Sequence, residues 1–207
     1  MGSAHAPMPG AEMLAEPLRS RWSPSVFDLD HVITEADIEV LLGAARWAPS
    51  AGNSQPWGYV VAPRGSEVHV RFVPHLSRGN SGWVPRASLV LVAGTQIAAD
   101  PEGNGPKSAD YARHDLGQAS AHITLQARAM GLHAHQFAGF DHGAAAAALG
   151  VPDHVELMTG IAIGVHLVAD PHDDVSPADR EREERVRVRK PLGEIAFGSR
   201  WGEAWTP

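Results

Sequence analysis

The chain contains no cysteine among its 207 residues. Disulfides, thiolate metal sites, iron–sulfur clusters and a cysteine nucleophile are therefore all excluded. The chain also lacks an excess of positive charge, because 17 Lys and Arg residues face 24 Asp and Glu residues and the formal net charge is −7. Without an overall basic field we expect neither nucleic acid nor a membrane surface as a partner, and any anion site must be local.

Long apolar runs are absent as well. No uninterrupted apolar stretch reaches the length of about 18 residues that a membrane span needs, and the first 20 residues lack the hydrophobic region of a signal peptide. We therefore expect a cytoplasmic protein. The 43% hydrophobic content allows a substantial core. We predict a flexible arm over residues 1–17, where Gly, Ala and Pro show no periodicity, and a single domain over residues 18–207.

A loop of small residues and amides, PSAGNSQPW at residues 49–57, is the most informative stretch of the chain. We predict an amphipathic helix before it, because Thr34 can form a capping box with Asp37 and apolar residues then recur at helical spacing. The helix must end before Pro49, and a strand is predicted over residues 58–62. Small residues let the backbone approach a ligand closely, so the loop is either a ligand contact or a simple connector.

Two basic segments lie near opposite ends of the chain. In the first, Arg19 and Arg21 alternate with serines. In the second, over residues 185–189, arginines alternate with valines, so an extended chain would present all the arginines on one side. A guanidinium group offers a planar fork to phosphate oxygens, which makes both segments candidates for a phosphate site. Each could instead be a solvated surface, and the second could be an edge strand whose charges prevent aggregation.

Hydrophobic patterning predicts the other strands. Residues 68–72 alternate apolar and polar side chains, and we expect them to form a hairpin with the strand over residues 58–62. Continuous apolar runs predict buried strands over residues 88–94 and 157–168.

The remaining helices are predicted from periodicity and capping residues. A long helix is expected over about residues 109–130, with Gly131 as its C-terminal stop. Residues 132–141 are expected to form a tight link, in which Asp141 caps a short alanine-rich helix that runs to Leu149.

The 12 histidines are scattered, and only His133 and His135, with His142 further on, are clustered. No carboxylate in the sequence evidently completes a tetrahedral ligand set with them. We therefore predict no metal site.

Taken together, the segments resemble the FMN-dependent nitroreductase family. The loop with its flanks matches A-P-S-x-x-N-S-Q-P-W, Arg21 and Ser23 match an R-x-S motif, and Arg187, Arg189 and Pro191 match (K/R)-x-R-x-P. The resemblance implies an α+β, three-layer fold with a mixed central sheet flanked by helices, in an intertwined homodimer. The C-terminal tail, from about residue 195 to residue 207, would pack on the partner subunit.

The resemblance also implies which residues hold FMN. They comprise a phosphate clamp from both chain ends, a loop that faces the flavin of the partner, and contacts to the flavin ring. In chain order the implied cofactor-binding residues are Arg19, Arg21, Ser23, Ser25, Pro49, Ser50, Ala51, Asn53, Gln55, Asn80, Gln136, Phe137, Ala138, Gly139, Arg187 and Arg189.

Within this set, the backbone N–H groups at Ala138 and Gly139 would face flavin N5, and Asn80 would bind the pyrimidine edge of the ring. Two positions depart from the family pattern. Ser25 stands where the family has a second basic residue, for which Arg19 is a candidate substitute, and Ala138 stands where many relatives have an acidic residue.

For function, the resemblance implies a ping-pong oxidoreductase. NADH or NADPH would deliver hydride to flavin N5, and a small electron-poor acceptor such as a nitroarene, quinone or enone would then take up the electrons. Because FMN carries the hydride chemistry, no side chain is expected to act as a catalytic acid or base. The alternatives are a non-catalytic protein that binds or sequesters flavin and a specialised family member, such as a flavin reductase, an azoline dehydrogenase or a flavin-consuming enzyme.

Overall fold

The computed structural model describes residue 8, residues 10–167 and residues 175–206. In chain order the helices and strands are α1 (Glu16–Ser20), α2 (Glu35–Arg46), β1 (Trp57–Pro63), α3 (Glu67–Phe72), β2 (Leu89–Gln96), α4 (Ala109–Ala129), β3 (His133–Phe137), α5 (His142–Leu149), β4 (Val155–Gly164) and α6 (Pro177–Glu184). Single 3-10 turns are formed by Ala51–Asn53, Val73–His75, Val84–Arg86 and Leu192–Glu194.

The four strands form one sheet in the order β1-β2-β4-β3. The two central strands send alternate side chains to opposite faces, as the two-residue period of a strand requires. Leu89, Leu91 and Ile163 join one core with α2 and α4, whereas Val90 and Val92 join the other with α3 and α5. The predicted α+β, three-layer fold is therefore confirmed. Every pairing among the described strands is antiparallel, so in this respect the sheet differs from the mixed sheet that we expected.

The helix before the small-residue loop forms as predicted. The hydroxyl oxygen of Thr34 accepts a hydrogen bond from the backbone N–H of Asp37, and the Asp37 carboxylate accepts one from the backbone N–H of Thr34, each at 3.1 Å. This capping box satisfies two N–H groups that have no partner within the helix. Helix α2 then ends at Arg46, ahead of Pro49.

The long helix α4 also forms as predicted, and Gly131 follows its end with a φ of 80°. This left-handed conformation suits glycine, which has no Cβ to clash with the following carbonyl. Ile123 and Ala127 pack on Leu41 of α2 within one core. Asp141 caps α5 by accepting a hydrogen bond from the backbone N–H of Ala144 at 2.9 Å.

The predicted hairpin strand over residues 68–72 is wrong, because this segment forms the helix α3. Ser66 caps α3 by accepting a hydrogen bond from the backbone N–H of His69 at 3.2 Å. In a helix Val68 and Phe72 share a face, which packs on the core, while Val70 is 63% exposed. Five residues of alternating polarity do not separate a strand from a helix that is buried on one side.

The tight link predicted over residues 132–141 is wrong in its first half, which forms the edge strand β3 and pairs with β4. The sequence HAHQF lacks the β-branched residues that usually indicate a strand, and this strand forms because β4 offers an open edge. Helix α6, capped by Ser176, was not predicted either. Strand β4 begins two residues earlier than expected and ends at Gly164. The end predicted for it, at Val168, lies outside the described residues.

No described helix is both long enough and apolar enough to cross a membrane.

Gly160 in the central strand β4 tests the packing between β3 and β4. A Cβ atom at this position would lie 2.2 Å from Cζ of Phe137, so the aromatic ring would have to move. We predict that Gly160→Ala lowers the free energy of unfolding by about 1–3 kcal/mol, the usual cost of overpacking. The control is Gly43→Ala in α2, where a Cβ meets no atom within 4 Å. There we expect a gain of about 0.5–1 kcal/mol. Equal effects in urea unfolding would contradict the packing described for Gly160.

Candidate functional site

The two predicted basic segments meet in the structure. They line a cavity of about 390 Å³ between the chain segment before α2 and the segment that follows α6. Its walls are formed by Arg21, Ser23, Ser25, His135, Arg182, Arg185, Val186, Arg187, Val188 and Arg189. Five of the predicted cofactor-binding residues are therefore brought together from opposite ends of the chain.

Three of the five arginines in this cavity have no carboxylate within ion-pair distance in the part of the chain that the structure describes. Arg182 pairs with Asp179 at 2.7 Å, and Arg185 pairs with Glu181 at 3.5 Å. Arg21, Arg187 and Arg189 make no such pair. We refer to these three residues as the arginine cluster.

The charges of the arginine cluster act on one another. Burial lowers the pKa of Arg21, and the positive charge of Arg189 lowers it further. Burial also lowers the pKa of Arg187, an effect that Glu183 opposes and that the charges of Arg21 and Arg189 reinforce. A guanidinium group nevertheless stays protonated in proteins. The cluster therefore holds like charges at close range, and a bound anion would relieve their repulsion.

Two buried polar atoms indicate that this cavity fits a phosphate group. Nη1 of Arg187 and Oγ of Ser25 are buried without a hydrogen-bond partner among the described residues. The Arg187 guanidinium lies over the ring of Trp22, with Cζ 4.2 Å from the ring centroid, and this cation–π contact favours its position. A buried donor with no acceptor is costly, and the oxygens of a phosphate would supply the acceptors.

Glu183 on α6 holds the two basic segments together. Its carboxylate accepts a hydrogen bond from the backbone N–H of Ser25, and it lies 3.0 Å from Nε2 of His166, which follows β4. Phe27 and His166 also form an isolated antiparallel bridge. The segment that carries Arg187 and Arg189 is thereby tied to the segment that carries Arg21.

A second cavity, of about 440 Å³, lies next to the first. It is lined by Leu18, Arg21, Ser23, Ala121, Thr124, Leu125, Ala134, His135 and Gln136. Three of these residues, Arg21, Ser23 and His135, also line the first cavity. They form the passage between a strongly basic compartment and a more apolar one.

The turn at Ala138 and Gly139 presents free backbone donors. Its carbonyl groups are bound, because the oxygen of Gly139 accepts hydrogen bonds from Nδ2 of Asn80 and from the backbone N–H of Ser77, both at 2.9 Å. The N–H groups of Ala138 and Gly139, in contrast, donate no hydrogen bond to any described residue. A Cβ at position 139 would lie 2.6 Å from both Asn80 Nδ2 and Ser77 Oγ, so any larger residue there would displace these two side chains.

Asn80 therefore supports the turn at Ala138 and Gly139 directly. Its Oδ1 accepts a hydrogen bond from Nε1 of Trp83 at 3.2 Å, and one N–H of its amide binds the oxygen of Gly139. The second N–H of the amide has no partner among the described residues. Asn80 thus keeps one donor for a ligand at the place where the turn presents two more.

The small-residue loop has a strained backbone. Asn53 and Gln55 have φ values of 57° and 47°, and no other described residue except glycine has a positive φ. The buried carboxylate of Asp115 on α4 holds the loop by accepting a hydrogen bond from the backbone N–H of Ala51 at 2.9 Å. Ser50 accepts a second hydrogen bond, from the backbone N–H of Gln55. Strain of this kind persists where the surroundings over-determine the backbone, often at ligand sites.

The structure does not bring every predicted residue into one place. No residue of the loop over residues 49–57 lines either cavity, so within one chain the loop stands apart from the arginine cluster. Arg19 is exposed on α1 and also lines neither cavity. Gln136 lines the second cavity, whereas the Phe137 ring is buried against Phe72 and Trp83.

Sequence reasoning missed four residues of this region: His135 as part of the passage, Arg182 in the cavity wall, and Asp115 and Glu183 as anchors. Nothing in the sequence around Asp115 shows that its side chain binds the loop. Glu183 lies in a run of charged residues, a pattern that is typical of a solvent-exposed surface. Among the residues that the structure describes, no group of three or more His, Asp or Glu side chains could hold a metal ion.

Comparisons with known proteins identify the class to which this fold and this site belong. A model of the nitroreductase family matches residues 18–81. A solved structure described as an oxidoreductase containing FMN is 31% identical, covers 98% of this chain and 100% of its own, and superimposes with a TM-score of 0.83. The chain therefore belongs to the nitroreductase family.

Two sequence relatives extend the comparison. An uncharacterized 15.4 kDa protein of Mycolicibacterium smegmatis is 38% identical over 148 residues, which are 70% of this chain and 92% of the relative. A protein of Archaeoglobus fulgidus with the provisional name NADH dehydrogenase/NAD(P)H nitroreductase is 28% identical over 165 residues, which are 78% of this chain and 89% of the relative. The likeness thus spans most of the domain and not only its first motifs.

Proposed function

We propose that the protein is an FMN-dependent oxidoreductase that passes hydride from NADH or NADPH to a small electron-poor acceptor, and that it works as a homodimer in the cytoplasm. The observation that carries the proposal is the arginine cluster, which places three cations without an ion-pair partner among the described residues on one cavity. A turn with two free backbone donors follows β3, the strand whose His135 lines the same cavity. The relative in Archaeoglobus fulgidus and the FMN-containing structure support the same class of reaction.

In this proposal the arginine cluster binds the phosphate of FMN. Arg21, Arg187 and Arg189 supply the charge, and Ser23 and Ser25 supply hydroxyl groups. Charge-assisted hydrogen bonds from guanidinium groups to phosphate oxygens are short and strong. At position 25 the buried hydroxyl group of Ser25 would take the place of a basic side chain, and Arg182 also lies in the wall, although its charge is paired with Asp179.

The turn at Ala138 and Gly139 would face the flavin ring with its backbone N–H groups, and the free N–H of Asn80 would complete the donors on that side. When bound, FMN supplies hydride transfer between a reduced nicotinamide and an acceptor in a ping-pong sequence. The protein groups bind and orient the cofactor, and fixed donors beside the ring favour the negative charge that arrives with the hydride. No side chain is assigned a catalytic acid or base role.

The small-residue loop would serve the second subunit. Its backbone is held in a strained shape by Asp115, yet it stands apart from the arginine cluster of its own chain. We propose that Pro49, Ser50, Ala51, Asn53 and Gln55 approach the flavin bound by the partner. The C-terminal tail carries Trp201 and Trp205, which are 91% and 55% exposed, and we propose that these rings pack on the partner.

Anaerobic reduction tests the oxidoreductase proposal. We predict that purified protein loaded with FMN loses its yellow absorbance within seconds of the addition of NADH or NADPH under nitrogen. The colour should return on addition of a nitroarene, a quinone or an enone, and the panel also separates general reductases from the specialised alternatives. A yellow protein that neither nicotinamide reduces would instead be a flavin-binding protein without turnover, and the proposal would be wrong.

Arg21→Ala tests the phosphate site. Loss of one charge-assisted hydrogen bond should weaken FMN binding by about 10- to 150-fold, or about 1.5–3 kcal/mol. The measurement is the quenching of FMN fluorescence on titration with apoprotein. Arg71→Ala is the matched control, because Arg71 lies on α3 and lines neither cavity. Unchanged FMN affinity in Arg21→Ala would remove Arg21 from the phosphate site.

A further inference from the structure

His135 lies at the passage between the two cavities, and one of its ring nitrogens already has a hydrogen-bond partner. Its Nδ1 lies 2.8 Å from the carbonyl oxygen of Pro24. A carbonyl oxygen only accepts hydrogen bonds, so Nδ1 must carry a proton and donate it. In a neutral imidazole the other nitrogen, Nε2, is then an acceptor.

The surroundings keep this imidazole neutral. Burial lowers the pKa of His135 below its ordinary value of 6.5, the bond to Pro24 opposes this effect, and the charges of Arg182 and Arg21 lower the pKa further against the opposing charge of Glu183. At neutral pH, therefore, the ring offers a lone pair at Nε2.

The orientation of the ring is also fixed. It stacks on the indole of Trp83 with centroids 4.2 Å apart and an angle of 23° between the planes. Nε1 of Trp83 in turn donates to the carbonyl oxygen of Gly79 at 3.1 Å and to Oδ1 of Asn80 at 3.2 Å. The hydrogen bond from Nδ1 to Pro24 and the stacking on this anchored indole together set the position of Nε2.

Nε2 of His135 has no partner among the described residues, and its neighbours at the passage are donors. Arg21 supplies guanidinium N–H groups, and Ser23 supplies a hydroxyl group that already lies 3.4 Å from Nη1 of Arg21. A phosphate oxygen, which only accepts, would meet a lone pair at Nε2 and be repelled. A hydroxyl group would donate to Nε2.

We propose that Nε2 of His135 accepts a hydrogen bond from a hydroxyl group of the ribityl chain of FMN, a role that rests on the proposed function. The phosphate occupies the cavity of the arginine cluster, so the polyol chain leaves that cavity through the passage formed by Arg21, Ser23 and His135. His135 is then a specificity-determining residue that recognises the polyol chain beside the phosphate, whereas the arginine cluster recognises only the phosphate.

A cycle of protein and ligand changes tests this role. The ligands are FMN and its 2′-, 3′- and 4′-monodeoxy analogues, and the readout is the dissociation constant from fluorescence quenching. With the natural protein, one analogue should bind about 2- to 12-fold more weakly than FMN, the range for a neutral hydrogen bond. In His135→Phe, which keeps an aromatic ring to stack on Trp83, that difference should vanish.

A second variant, His135→Asn, allows the same test if His135→Phe does not fold. His135→Asn can still donate to the carbonyl oxygen of Pro24 but has no acceptor at the place of Nε2, and it should abolish the same difference between FMN and its analogue. The proposal is overturned if all three analogues bind the natural protein as tightly as FMN. It is also overturned if the difference between FMN and the weaker analogue persists in both variants.

The protonation state of His135 supplies a readout independent of affinity. In ¹⁵N spectra of the FMN-loaded protein, Nε2 should remain unprotonated at neutral pH and should show the shift of a hydrogen-bond acceptor. Protonation of Nε2 on FMN binding would mean that a phosphate oxygen is its partner, and would overturn the proposal. Failure of the natural protein to bind FMN would overturn the proposed function as well. If the protein binds FMN but neither NADH nor NADPH reduces it, only the proposed function is overturned. The binding and ¹⁵N experiments on His135 would still test its role.

Discussion

The carboxylate of Glu183 is the contact on which the geometry of the site depends. It joins the backbone of Ser25 to His166 and so brings together three segments that are far apart in the sequence. Because the side chains of Glu183 and His166 are largely shielded from water, the hydrogen bond between them is stronger than one at the protein surface. The arginine cluster consequently holds its charges close together without a carboxylate for each of them. A region built in this way is most stable when it contains an anion.

The edge strand β3 and the turn that follows it position part of the site. Strand β3 lies at the edge of the sheet and carries His135 and Gln136 toward the cavities, and the turn that follows it exposes the donors of Ala138 and Gly139. The turn cannot move freely, because Asn80 and Ser77 both bind the oxygen of Gly139. His135, which lines the basic cavity, and the donor turn thus follow one another along a single strand and its turn. Such an order suits a ligand with an anionic end and a flat ring.

Local chemistry explains which features could be predicted from the sequence. Thr34 and Asp37 specify the start of α2 by themselves, and the run from Leu89 to Val92 is apolar enough to require a central strand. The convergence of the arginines followed from a family pattern, not from their spacing. By contrast, β3 exists only because β4 offers an edge, and α3 depends on which face of a short segment meets the core.

The chemistry of His135 depends on residues that are far from it in the sequence. Its tautomer is set by the carbonyl group of Pro24, and its neutral state is set by burial and by arginines from both chain ends. None of these partners is close to it in sequence. The same holds for Glu183, since Glu181 and Glu184 stand beside it in the same charged run and only the fold shows which carboxylate turns inward.

In the proposed function, the arginine cluster recognises the phosphate of a flavin mononucleotide. The most direct measurement compares the dissociation constants of FMN and riboflavin for the same apoprotein at moderate ionic strength. The two ligands share the ring and the polyol and differ only in the phosphate. Since several charge-assisted hydrogen bonds depend on that group, FMN should bind at least about 100-fold more tightly than riboflavin. Dissociation constants within about threefold of each other, a difference below 1 kcal/mol, would contradict the claim.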